Sequence, residues 1–270
     1  MTQRYADLGV LSGPVLLFGG PYSNLQAAEA LFAQVGHIAK ANRICTGDVV
    51  AYCANPVETA ALVRAETGTI VAGNCELQLA SGQEDCGCGF DEGTACDLAS
   101  KSWFPFASAQ MRGDVAQFAD LPDIAVFTHA GRRYAVIHGG ASDVSRFIWS
   151  TDANDVLQNE ISLLERDVGA IDGVICGHSG IPFERQIGAR VWINAGVIGM
   201  PPHDGRPQTR YAVLNEGGVT FHALSYDHAD AAQAMRDVGL TQGYELSLAS
   251  GYWPSEDILP EGLRRPKDVA

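Results

Sequence analysis

Arg43–Glu76, RICTGDVVAYCANPVETAALVRAETGTIVAGNCE, is the stretch on which the fold reading turns. Arg43–Cys45 reads as a short strand that runs into Thr46-Gly47-Asp48. Pro56–Thr67 follows as a helix, and Thr69–Ala72 as a second strand ending in Gly73-Asn74-Cys75-Glu76. A helical pattern then starts at Glu76–Ala80. Each strand thus ends in a glycine and a polar side chain, and glycine there lets the backbone turn sharply and approach a ligand closely.

Upstream, Pro14–Gly19 (PVLLFG) is a buried strand. In Asn24–Val35 the apolar residues Leu25, Ala28, Leu31, Phe32 and Val35 repeat with helical period, and Ser23 or Asn24 is placed to cap. The first half therefore has β-α-β-α-β order. Downstream, residues 82–97 form a Gly-, acid- and Cys-rich insertion, followed by a helix at Ala95–Trp103. Ile124–His129 and Arg133–His138 make a hairpin around Ala130-Gly131-Arg132. Ala153–Val168 is helical, Gly173–Cys176 is a strand, and Phe183–Ile187 with Arg190–Asn194 is a second hairpin. Strands at Arg210–Leu214 and Val219–Leu224 and a helix at Ala229–Val238 precede a tail over residues 243–270. These elements predict a single domain over 1–270, α/β in its first half and antiparallel β-rich in its second. Two packed sheets with helices outside accommodate that order.

With 270 residues, 46% of them apolar and 19% charged, the chain can bury a sizeable core. Its apolar runs fall short of the roughly 20 residues that a membrane-spanning helix needs. Thirty-two acidic against eighteen basic residues give a formal charge of −14, with the basic residues scattered, so no footprint for nucleic acid or anionic lipid is expected. The opening residues lack an export signal, which points to the cytoplasm. Seven cysteines in a domain of this size point to reduced thiols or metal ligands more than to a disulfide framework.

Four polar residues directly follow short apolar strands: Asp48, Asn74, His138 (in Ile137-His138-Gly139-Gly140) and His178 (in Gly177-His178-Ser179-Gly180). Alone, each has a plain structural reading: a Gly-Asp turn, a helix-capping Asn, a hydrogen-bonded interior His. Together, one carboxylate, one amide oxygen and two imidazoles suit a divalent ion of borderline hardness, Mn²⁺, Fe²⁺ or Zn²⁺.

In this order and at these distances the motifs resemble the calcineurin-like metallophosphoesterase family, particularly its small bacterial phosphodiesterase-like branch. That family runs D-x-H, G-D, G-N-H-[D/E], H and G-H-x-H. The segments Ile181-Pro182-Phe183, Trp192–Gly196 and Met200-Pro201-Pro202 through Val213 are also similar, so the likeness spans about Val15 to about Leu224. It implies a two-sheet αββα sandwich and hydrolysis of a small phosphorylated substrate, a phosphomono- or diester, by metal-activated water. Asp48 would bridge two ions, and Asn74, His138 and His178 would complete one ion's shell. Asp48, Asn74 and His138 are the implied catalytic residues.

The departures fall on the other ion. Gly20 stands at the carboxylate position of D-x-H and Tyr22 at its imidazole position, while Gly180 replaces the second His of G-H-x-H. One ion is expected more than two. Cys75 stands where many relatives carry a His. The turn Phe18–Asn24 reads either as an anion cradle at a helix N-terminus or as a plain strand-to-helix turn. Tyr22, Asn24, Cys75, Glu76 and His203 are candidate supporting or substrate-contacting residues, and loop residues Arg206 and Arg210 are either phosphate contacts or exposed charges. Cys75, Cys86, Cys88 and Cys96 form a candidate thiol cluster, of irregular spacing, that could hold structural metal or return ligands to the depleted half. The tail is expected to pack on the domain or on a second subunit. Beside the hydrolase stand two other readings: a non-catalytic relative binding a phosphorylated ligand or metal, and a thiol-based metal or redox sensor.

Overall fold

A computed structural model describes residues 4–89 and 92–265. One sheet has six strands, in spatial order β1 (Tyr5–Val10), β5 (Ile124–His129), β6 (Arg132–Val136), β7 (Gly173–Cys176), β9 (Arg190–Asn194) and β8 (Phe183–Ile187). The other has five: β11 (Gly218–Leu224), β10 (Thr209–Asn215), β2 (Val15–Phe18), β3 (Arg43–Cys45) and β4 (Thr69–Ile70).

Alternation of side chains along each strand builds the layers. Val15 and Leu17 join Phe127, Ile175 and Ile193 in a core between the sheets. The intervening Leu16 and Phe18 pack outward beneath helices α1 (Leu25–Gln34), α2 (Pro56–Glu66), α3 (Asn74–Ser81), α4 (Ala95–Met111), α6 (His228–Asp237) and α7 (Tyr244–Ser250). On the far side, Val126, Val174 and Trp192 meet Leu157, Ile161 and Leu164 of α5 (Asn154–Val168). The result is the expected αββα sandwich.

The second half is antiparallel-rich as expected, in β5 with β6, β8 with β9 and β10 with β11, and β10 joins the first-half sheet. Helix α5 carries the chain over the sheet between β6 and β7, so β6, β7 and β9 run parallel. Two elements differ from the sequence reading. Strand β1 was not anticipated. It lies at a sheet edge, pairs only with β5, and is half-exposed, so its sequence YADLGV carries little apolar signal. Helix α4 continues through Pro105 to Met111, held by burial of Phe104, Ala107 and Met111 beyond the point where a proline would ordinarily end it.

Because β2, β3 and β4 are parallel to one another, as are β6, β7 and β9, their carboxyl ends gather along one rim. The sheets are tied there: Gly19 donates to the Gly196 carbonyl and Ile198 to that of Gly19, both at 3.0 Å. Residues 90–91 of the insertion and 266–270 of the tail lie outside the described residues. Among the described residues no helix is long and apolar enough to cross a membrane.

Candidate metal centre

Asp48 and His178 are held at positive φ, +54° and +56°. Left-handed backbone in a non-glycine residue costs on the order of 1–3 kcal/mol and persists only where its surroundings over-determine it. At Asp48 that role falls to Glu76. This buried carboxylate accepts the N–H groups of Asp48 (2.8 Å), Val49 (2.8 Å), Val50 (3.3 Å) and Gly73 (3.0 Å), fixing the whole turn after β3. Gly73 is required beside it, since a Cβ there would collide with Asp48 Oδ1.

Four donor atoms converge at the rim. His138 Nε2 lies 3.2 Å from Asp48 Oδ2, 3.0 Å from Asn74 Oδ1 and 3.0 Å from His178 Nδ1, and His178 Nδ1 is 3.9 Å from Asp48 Oδ2. Ligands about 2.1 Å from a common ion stand about 3.0 Å apart when they meet at right angles, so the spacing fits one first-row divalent cation. The lone pairs fit as well. His138 Nδ1 lies 2.6 Å from the Thr46 carbonyl and donates its hydrogen there, which leaves Nε2 of the neutral ring as a fourth acceptor among acceptors. A cation relieves that arrangement, as does a proton on His138 Nε2 or on His178 Nδ1.

Electrostatics follow from the same packing. Burial opposes ionisation of Asp48, but the imidazoles of His138 and His178 outweigh it and hold the carboxyl far below the usual carboxylate range. Burial likewise opposes charge on His138, yet Asp48 leaves its pKa raised, whereas burial wins at His178 and lowers it. Burial and the Asp48 charge push Glu76 up to about 7. Cys75, buried and facing the Asp48 and Glu76 charges, is pushed well above the usual thiol value and stays a neutral thiol.

The other half of the site is filled. Gly20 sits at φ +43°, and a Cβ on it would stand 2.5 Å from Tyr22 Cζ and 2.7 Å from Val197 Cγ1. The Tyr22 ring therefore occupies the space a carboxylate at position 20 would use. It packs edge-on against Tyr52 at 4.8 Å, and Tyr52 in turn against Tyr244 at 4.5 Å and Trp103 at 4.7 Å. Gly180 is covered by Trp253 of the tail, 3.2 Å from where its Cβ would be. Aromatic core has replaced ligands, and these residues do not fit a second ion.

The supporting residues divide. Asn24 is committed to structure: its Oδ1 caps α1 by accepting from Ala27 and its Nδ2 donates to the Gly199 carbonyl. In the turn before α1 the N–H groups of Gly19, Gly20, Tyr22, Ser23 and Asn24 all bond backbone carbonyls, and in the first turn of the helix that of Ala27 bonds Asn24 Oδ1. His203 faces the tail: its Nδ1 accepts from the Trp253 N–H and its Nε2 lies 2.9 Å from Glu256 Oε1. Arg210 pairs with Asp204 at 2.6 Å. Tyr22 lies beside Asp48 and borders a cavity of about 50 Å³, together with His178, Cys88, Cys96, Tyr244 and Trp253.

The expectation of reduced thiols fails at one pair, because Cys86 and Cys88 are joined as a disulfide. The loop carrying them does fold onto the site. Asn74 Nδ2 donates to the Cys86 carbonyl at 2.9 Å and lies 3.4 Å from Cys88 Sγ and 3.6 Å from Cys75 Sγ. Cys96 borders the cavity from α4. Sequence reasoning missed the Thr46 carbonyl that orients His138, the Phe147 ring packed at a tilt against His178 at 4.3 Å, and the placement of Trp253 beside Gly180. A backbone carbonyl leaves no mark in a sequence, and the two aromatic residues lie in loops without periodicity.

Comparison with known proteins agrees with the fold. The calcineurin-like phosphoesterase superfamily domain matches residues 23–217, so the chain belongs to that family. A metallophosphoesterase from Sphaerobacter thermophilus superposes with TM-score 0.70 at 21% identity, covering 89% of this chain and 100% of its own. A hypothetical protein from Pyrococcus horikoshii OT3 superposes with TM-score 0.71 at 13% identity, covering 89% and 99%. At these identities the likeness is one of fold. No curated protein matches the chain in sequence.

Proposed function

We propose that this chain is a cytoplasmic phosphoesterase that hydrolyses a small phosphomono- or diester at a single divalent ion, Mn²⁺, Fe²⁺ or Zn²⁺, held by Asp48, Asn74, His138 and His178. The observation that carries the reading is the convergence of four lone-pair donors on one point, beside a second half that is packed with aromatic rings. An ion there supplies Lewis acidity to a phosphoryl oxygen and lowers the pKa of its bound water. Asp48 supplies the negative charge, Glu76 holds the Asp48 turn, and the Thr46 carbonyl keeps the His138 tautomer that presents Nε2. Cys75, a neutral thiol where the family's motif carries His, lies against the Asn74 amide.

A second reading, a non-catalytic relative that binds ligand or metal, is favoured by one feature. The cavity at Asp48 and His178 has room for a few waters only, and Trp253 of the tail lines it. The test is release of nitrophenol from aryl phosphate mono- and diesters by purified protein in added Mn²⁺. Turnover that vanishes in His138→Ala supports the hydrolase. Metal binding without turnover on either ester class favours the binder.

A further inference from the structure

The ion-site reading leaves unexplained why an insertion with a C-x-C disulfide folds onto one ligand of the set. An asparagine amide can offer either its oxygen or its NH₂ to a neighbour, and the hydrogen bonds at the other end decide which. At Asn74 that other end is held mainly by the cysteine loop: the Cys86 carbonyl accepts one amide hydrogen and the Cys88 sulfur lies beside the same nitrogen, with Cys75 of α3 on its other flank. With NH₂ so held, Oδ1 is turned to His138 and the donor set. The loop is itself seated from two sides. Gly87, between the bridged cysteines, lies on the Gln78 side chain of α3, and its carbonyl accepts from Ser145 Oγ in the loop after His138.

We propose that the Cys86–Cys88 disulfide is a reversible redox clamp on Asn74 that sets the affinity of the site for its ion; this rests on the one-ion reading above. A dithiol reductant opens the clamp. Its two sulfurs join in a disulfide while the Cys86–Cys88 bond takes two electrons and two protons and becomes two thiols. Hydrogen peroxide closes it: the two thiols lose their hydrogens and form the S–S bond, and the peroxide is reduced to two waters. Opening the ring frees the Cys86 carbonyl and the Cys88 sulfur to move, and the Asn74 amide then rotates and presents NH₂ to the cation. Loss of a partner that orients a metal ligand typically costs about 10- to 100-fold in metal affinity. Disulfides in a reducing compartment are more often regulatory than structural, which matches the cytoplasmic assignment.

The experiment titrates Mn²⁺ into three samples of full-length protein: peroxide-treated wild type, wild type after a phosphine reductant, and Cys86→Ser with Cys88→Ser. Free Mn²⁺ is read by electron paramagnetic resonance, and the bridge by alkylation and peptide mass. The bridge should map to Cys86 and Cys88 in the oxidised sample, and Mn²⁺ should bind about tenfold or more weakly in both bridge-free samples. The double variant should show no further change on reduction. Chemical reduction of the wild type keeps the test valid if the variant fails to fold. Equal or tighter binding after reduction, or no bridge in the oxidised sample, overturns the clamp and leaves the ion site standing. Absence of binding in every sample overturns both.

Discussion

The two sides of Asp48 differ in what surrounds them. On one side Asn74, His138 and His178 converge on a common point, with Asn74 turned by the Cys86 carbonyl and His138 by that of Thr46. On the other, Gly20, Tyr22 and Gly180 offer no ligand, and the rings of Tyr22 and Trp253 take up the volume. Simple decay of a second metal site would leave a polar void, which is costly to bury. Here the void is closed by interlocking aromatics that extend through Tyr52 to Trp103 and Tyr244. The difference teaches that the half without ligands is built as core, and under the one-ion proposal the other half works alone.

Substitutions can break that contrast. The largest effect is expected from Glu76→Ala, which strips the acceptor from four buried N–H groups and releases the strained Asp48 turn. A loss of about 3 kcal/mol or more in urea unfolding, with ion binding abolished, is the expected outcome. Gly20→Asp, which returns a carboxylate to the filled half, should not recruit a second ion. It should instead destabilise by about 1–3 kcal/mol, because the side chain meets Tyr22 and Val197 from a positive-φ position. A second Mn²⁺ per chain in that variant would show that the filling is shallow.

The retained half has a pH dependence of definite sign. His138 must be free of its Nε2 proton to ligate, and Asp48 raises its pKa above the ordinary imidazole value. Below that raised pKa the ion displaces a proton, so Mn²⁺ affinity should rise about tenfold per pH unit and level off above it. Isothermal titration at several pH values measures this, and a flat profile would place His138 outside the ion's shell. The smallest effect is expected at Asn24→Ala. Loss of the α1 cap should cost about 1 kcal/mol in thermal unfolding and leave ion binding intact.

Much of this was legible in the sequence for physical reasons. Short apolar runs bounded by Gly gave β2, β3, β7 and β9 nearly to the residue, since strands buried on both faces carry a dense signal, while the partly exposed β8 was legible through its hairpin with β9. The half-exposed β1 carries little and was missed. Asp48, Asn74, His138 and His178 stood out because each follows a strand whose end lies on the same rim. What decides their state was hidden. The Glu76 carboxylate reaches back 28 residues to Asp48, and Trp253 comes from a distant tail to cover Gly180. The Cys86–Cys88 bridge also depends on how an irregular loop packs, which composition does not encode.

Metal content per chain, measured by elemental analysis on wild type and on His138→Ala after loading with Mn²⁺, tests the one-ion site most directly. One ion per wild-type chain and none in the variant is the predicted result. Two ions per wild-type chain would contradict it, because the half packed by Tyr22 and Trp253 would then have to hold one of them.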